Sequence, residues 1–202
     1  MANWRTIRKK INQAPKTIKL AKQTAKKVLE EEKSTLIQRF LSHPVSEEIL
    51  SGPNASNRSG TLNGYGNLFT FIGFSENTTN PVIHVEKLLQ QLIRLKSVKV
   101  SRGNKNAIEI TISSPSLQDF ATTTPMPWEG GSWVIGIERG ISGFGSYMYE
   151  RTAESRSGHG FQAKTPPKYK STQRITAGSF RNIKYMSEII RTFHKKLKER
   201  EK

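Results

Sequence analysis

The sequence predicts an α+β protein: an antiparallel β-sheet packed by amphipathic helices, with long basic helical extensions at the N- and C-termini. Three observations predict it. Apolar residues recur at helical spacing in three separate stretches, Ile18 to Leu41, Val82 to Leu95 and Phe180 to Leu197. Between the second and third, Val98, Val100, Ile108, Ile110 and Ile112 alternate with polar residues about a turn, the mark of a hairpin. The charge is also divided unevenly: residues 1–29 carry nine Lys or Arg and no acid, and residues 164–202 carry twelve against three acids. Residues 30–163 are left at a net −1 within a chain of formal charge +17. The composition therefore marks off a basic N-terminal arm and long helix over 1–44, an α+β body over 45–163, and a basic loop with a C-terminal amphipathic helix over 164–202.

In the first helix, Ile18, Ala21, Ala25, Val28, Leu29, Ile37, Phe40 and Leu41 fall near one face, and Lys16, Lys19, Lys22, Lys26 and Lys27 take much of the rest. Pro15 is expected to begin it, because proline suits the first helical turn, and Pro44 to end it near Ser42. Ser51 to Gly66 is a loop rich in Gly, Asn and Ser, and its GPNASNRSG stretch, Gly52 to Gly60, reads as a flexible assembly loop. It leads to NLFTFIGF, Asn67 to Phe74, which is expected to be a strand with apolar residues on both faces, lying centrally or against a partner. Asn80 and Pro81 start the next helix as N-cap and first residue. The hairpin follows, with Glu109 and Thr111 expected to face outward. Leu117 to Ala121 suits one helical turn, TTTPMPW is extended, and Ser132 can cap a short helix through Arg139. ISGFGSYMYE has strand spacing, Ser155 to Gly178 is expected to be a flexible basic loop, and Phe180 to Leu197 closes the chain as one helical stripe.

Composition also argues against several chemistries. With no Cys, disulfides and thiolate metal sites are excluded, and a reducing cytoplasm suits the chain. No apolar run reaches the roughly 18 to 20 residues that span a bilayer, and the charged start Trp4 to Lys10 does not resemble a secretory signal. His43, His84, His159 and His194 are scattered, without the i, i+4 spacing of a metal-binding helix. GPNASNRSG lacks the Lys followed by Ser or Thr of a phosphate-binding loop. Neither catalysis, a metal nor a cofactor is expected. Basic residues interleaved with aromatics are a stronger signal: Trp4 with Arg5, Arg8, Lys9 and Lys10, and Lys164, Lys168 and Lys170 around Tyr169, suit phosphate contact or an acidic partner. No base-reading motif accompanies them, so such binding would be independent of sequence.

The order of parts is informative as well. A long helix, SGTLNGYG before NLFTFIGF, a second helix and hairpin, then TPMPW, SWVIGIERGISG, SRSGHG and FRNIKYMSEIIRTFHKKLKE together resemble the tail-completion and neck proteins of tailed bacteriophages. The resemblance runs from about Thr35 to Lys198 and lies in architecture and residue texture; the long basic N-terminal arm departs from it. It implies a non-enzymatic virion structural protein, a head-tail connector or tail-completion subunit assembled in the host cytoplasm. As a hexamer or dodecamer, such a ring would surround the DNA path without reading the DNA, beside other neck and tail proteins and with no membrane partner. Its oligomer interface is expected at Asn67, Leu68, Phe69, Phe71, Phe74, Trp128, Trp133 and Phe144. The alternative function is a sequence-independent nucleic-acid-binding protein that uses its basic termini.

Overall fold

Proline punctuates the start of the fold. Helix α1, Pro15–Leu41, begins with Pro at its first position and ends with Ser42 as C-cap, as the sequence predicts. Pro44 does not lead into a loop, however; with His43 as N-cap it opens a second helix, α2, Pro44–Leu50. The computed structural model describes residues 11, 14–62, 66–101, 107–127, 131–139, 147–149, 161–163 and 180–200. Within them the chain is α+β. After a short 3-10 turn, Gly52–Asn54, come α3 (Leu68–Ile72), α4 (Pro81–Leu92), β1 (Arg94–Val100) and β2 (Ile108–Ser113). A second 3-10 turn, Leu117–Phe120, precedes α5 (Trp133–Arg139), β3 (Tyr147–Tyr149), β4 (Phe161–Ala163) and α6 (Met186–Glu199).

Strands β1 and β2 pair antiparallel, with Val98 opposite Ile110 and Val100 opposite Ile108. A register shift between Leu95 and Ser97 accommodates one extra residue, Lys96, and keeps Leu95, Val98 and Val100 on one face of the ribbon. Glu109 is exposed, as expected, and Thr111 is half-buried. The second pairing, β3 with β4, gives strand structure to Tyr147–Tyr149, the part of ISGFGSYMYE that lies within the described residues. Each sheet among the described residues has two strands, so the helices carry most of the core.

The main departure is at Asn67 to Phe74, expected to be a strand. It is a helix, α3, capped at both ends: Asn67 Oδ1 accepts from the Thr70 N–H at 3.0 Å, and Gly73 takes a left-handed φ of 82°. A short run dominated by apolar and aromatic residues is compatible with either state by periodicity, and here Asn67 and Gly73 decide. The expected central position does hold, since Leu68, Phe69, Thr70, Phe71 and Ile72 are all buried.

A single hydrophobic cluster joins the three compositional segments. It runs from Leu29, Leu36 and Phe40 on α1 through Val45, Ile49, Val82, Val85, Leu89, Trp133 and Ile137 to Tyr185, Met186, Ile189 and Phe193. Phe40, Phe120, Trp133 and Tyr185 are fully buried, each worth about 1.5–3 kcal/mol of apolar transfer. In the C-terminal segment α6 folds back along α1, and its apolar stripe is part of the core. Its helix also starts later than the stripe suggests. Phe180 and Ile183 precede it in a non-helical stretch, where Arg181 N–H donates to Thr61 O and Ile183 N–H to Ile137 O. Those two bonds tie the stretch to the 61–62 turn and to α5.

Candidate assembly and polyanion-binding surfaces

The aromatic segment is held in place by a side chain distant in sequence, Glu48, and by its own first residue, Asn67. Glu48, fully buried on α2, accepts the Leu68 N–H at 2.7 Å through Oε1 and the Ser59 N–H at 2.8 Å through Oε2. The first contact satisfies an orphan donor in the first turn of α3. Asn67 Nδ2 donates to the carbonyls of Pro53 and Ala55 at 2.7 and 3.1 Å. The stretch from Gly52 to Gly60, expected to be flexible, is therefore pinned to the body at Ala55, Ser59 and the 3-10 turn. A carboxylate and an amide do this because a tight loop cannot pair its own backbone groups.

This packing corrects the expected oligomer interface. Asn67, Leu68, Phe69, Phe71, Phe74 and Trp133 are all buried inside the chain. Phe69 packs on Phe74, Phe74 on Trp133 edge to face, and Phe71 stacks on Phe180. They present no surface to a neighbour, because one core needs their area more than an interface could use it. Trp128 and Phe144 lie outside the described residues, as do Trp4, Arg5, Arg8, Lys9, Lys10, Lys164, Lys168 and Lys170.

A polar cluster lies beneath α2. The Tyr185 hydroxyl and Ser46 Oγ share a hydrogen bond of 2.6 Å, and His43 tilts against the Tyr185 ring at 4.8 Å. Burial pushes the Tyr185 phenol far above its ordinary range. Burial also lowers His43, against the opposing pull of the Glu138 carboxylate. His43 Nδ1 accepts the Val45 N–H at 3.2 Å, so the neutral ring carries its proton on Nε2. Glu138 Oε1 accepts the Ser187 N–H at 2.6 Å and thereby caps α6. Every one of these groups is committed to holding helices together.

His194 is brought beside Ser114, with Nε2 and Oγ at 2.6 Å on the surface. Among the described residues no carboxylate hydrogen-bonds the other ring nitrogen, so the pair lacks the orienting acid of a nucleophilic triad. Nor do the described residues include a group of three or more His, Cys, Asp or Glu that could hold a metal ion. No helix among them is long and apolar enough to cross a membrane.

What remains on the surface is an outer region made by the first half of α1 and the hairpin. From Pro15 to Val28 no residue of α1 is fully buried, and Leu20 is 63% exposed. Likewise no residue of β1 or β2 is fully buried, and Ile110 on the apolar face of the ribbon is 45% exposed. Lys16, Lys19, Lys22, Lys26 and Lys27 are all exposed. The expectation of basic contacts at the termini did not include these five, although their spacing on a helix beginning at Pro15 was legible. Compared with known proteins, the chain matches no family model, no curated protein and no solved structure.

Proposed function

We propose that this chain is a structural subunit, not an enzyme, and that it works by packing into a larger assembly, the neck or tail of a tailed bacteriophage. There it forms an oligomeric ring around the DNA path, as a tail-completion or head-tail connector protein of the virion. One observation supports this reading: the chain builds a 27-residue helix whose fully buried residues all lie in its C-terminal half. That helix is about 40 Å long, and the Pro15 to Val28 half, with the partly exposed face of the hairpin, is surface that a neighbouring subunit could bury. The order of segments, resembling the neck and tail proteins, supports the particular assembly. With the aromatic segment committed to the core, the interface belongs to the outer region instead.

The test is direct. Native mass spectrometry and negative-stain microscopy of the purified full-length chain, with proteomics of the particles of the phage that encodes it, are expected to show a ring-sized oligomer and the chain in the virion. A strict monomer absent from particles would overturn the proposal. A second reading, a sequence-independent nucleic-acid-binding protein acting alone through its basic ends, is favoured by the exposed α1 lysines. A monomer that binds duplex at nanomolar concentration with steep salt dependence would favour it.

A further inference from the structure

We infer that the lysine face of α1, formed by Lys16, Lys19, Lys22, Lys26 and Lys27, is a binding surface for the phosphate backbone of double-stranded nucleic acid. The inference rests on the second reading above, nucleic-acid binding without sequence recognition, and deepens it by naming the surface; it does not depend on the ring. At 3.6 residues per turn the five lysines fall within an arc of about 140°, roughly opposite the half-buried Ile18, Ala21, Ala25 and Val28.

Two features set these cations apart from ordinary solvated lysines. The first is the absence of acid around them: residues 1–29 contain no Asp or Glu, so the five share one helix face with no carboxylate in their own stretch of chain. Among the described residues none of the five has a carboxylate within 4 Å, which is true also of other cations such as Lys96 and Lys184, but those are not gathered on one acid-free helix face. The second is position. Lys16 and Lys19 sit in the opening turns of a helix whose first turn has no acid, where the dipole and the free N–H groups favour negative charge. Cations there oppose helix stability, a cost that a bound polyanion would offset.

Chemistry narrows the partner. From Lys16 to Lys27 the face runs about 16 Å along the axis, and a duplex carries one charge per roughly 1.7 Å, so five lysines can neutralise phosphates along one side of it. The intervening exposed residues, Leu20, Gln23 and Thr24, include no aromatic, so the face lacks the stacking platform of single-strand binders. A membrane-surface helix needs a free apolar stripe, and here that stripe is already half-buried within the chain.

The test uses the full-length chain and a random-sequence 30-bp DNA duplex, with fluorescence anisotropy from 50 to 200 mM salt. The quintuple variant K16Q/K19Q/K22Q/K26Q/K27Q is expected to lose on the order of a hundredfold in affinity, and its log-log salt slope to be shallower by about 4 to 5. The corresponding five Lys→Arg changes are expected to retain binding, as is a charge-matched control, K96Q/K99Q/K184Q/K195Q/K198Q, drawn from other exposed lysines. Circular dichroism of each variant checks that it folds; if the Gln variant does not, single Lys→Glu variants scored by salt slope replace it. Wild-type affinity and slope in the Gln variant would overturn the inference, and so would an equal loss in the control. Equal or tighter binding to polyglutamate, to phosphatidylserine vesicles or to single-stranded DNA of the same length would overturn the choice of partner.

Discussion

Removing the Glu48 carboxylate is expected to loosen the whole stretch from Ser59 to α3, while removing its neighbour Glu47 does almost nothing. Glu48 is fully buried and holds the Ser59 and Leu68 amides at 2.8 and 2.7 Å. A Glu48→Ala change strands both amides, at about 1–3 kcal/mol each. Some of that is offset because a charged group no longer has to be held away from water. The net expectation is a loss of about 2–4 kcal/mol, which for a chain of this size lowers Tm by roughly 5–15 °C. Glu48→Gln keeps one acceptor oxygen and turns an N–H₂ toward the other amide, so about half the effect should remain. Glu47 reaches Arg58 at 3.0 Å with both side chains well exposed, so Glu47→Ala should cost no more than about 0.5 kcal/mol. Urea and thermal unfolding measure the difference, and amide exchange at Ser59 and Leu68 reads the two bonds one by one. If Glu48→Ala melted within a degree or two of Glu47→Ala, or both amides stayed protected, the carboxylate would not be what holds α3 in place.

Three further outcomes follow from the cluster under α2 and the α1–α6 contact. Because burial lowers His43, its neutral form is favoured in the fold, so its contribution is fully present above about pH 6.5 and declines as pH falls below that. His43→Asn, which can still cap α2, should flatten the acid side of the stability profile measured by urea midpoints from pH 4 to 8. Tyr185 shifts in the opposite sense: its raised phenol keeps the fold's advantage below about pH 10 and loses it as pH rises further. Spectroscopic titration at 295 nm should therefore show one of the five tyrosines ionising only with unfolding, and Tyr185→Phe, which strands Ser46 Oγ, should cost about 1–2 kcal/mol. Arg200 holds the buried Glu32 at 2.9 Å and the exposed Glu31 at 3.7 Å. Arg200→Ala should cost about 1–2 kcal/mol, discounted because Arg200 is half exposed, whereas Glu31→Ala should be nearly silent in the same melts.

Local chemistry made much of the fold legible. Pro15 and Pro44 bracket α1, Asn80 and Pro81 open α4, and Ser132 Oγ accepts the Ile135 N–H at 3.2 Å as the cap expected for α5. Ser116 and Asp119 close a capping box on the expected turn. Each signal acts within about four residues, the range over which sequence alone constrains backbone hydrogen bonds. The α3 segment shows where pattern misleads: alternating aromatics suggested a strand, although Asn67 and Gly73 on either side carried the helix signal. The inward placement of those aromatics was missed for a related reason. Aromatics were assigned to an interface because they are large and apolar, and a chain with few apolar residues had to spend them on its own core.

The sequence by itself determined the class of fold, both ends of α1 and of α5, the start of α4, the strand pairing in the hairpin and the uneven placement of charge. All of these follow from spacing, capping residues and counts within short windows. Only the tertiary structure decided that Glu48 reaches Leu68, that α6 lies along α1, and that the α3 aromatics face inward while five α1 lysines face solvent with no carboxylate partner among the described residues. Such contacts join residues 20 to 168 positions apart, and no local periodicity encodes which distant groups will meet once the core has closed.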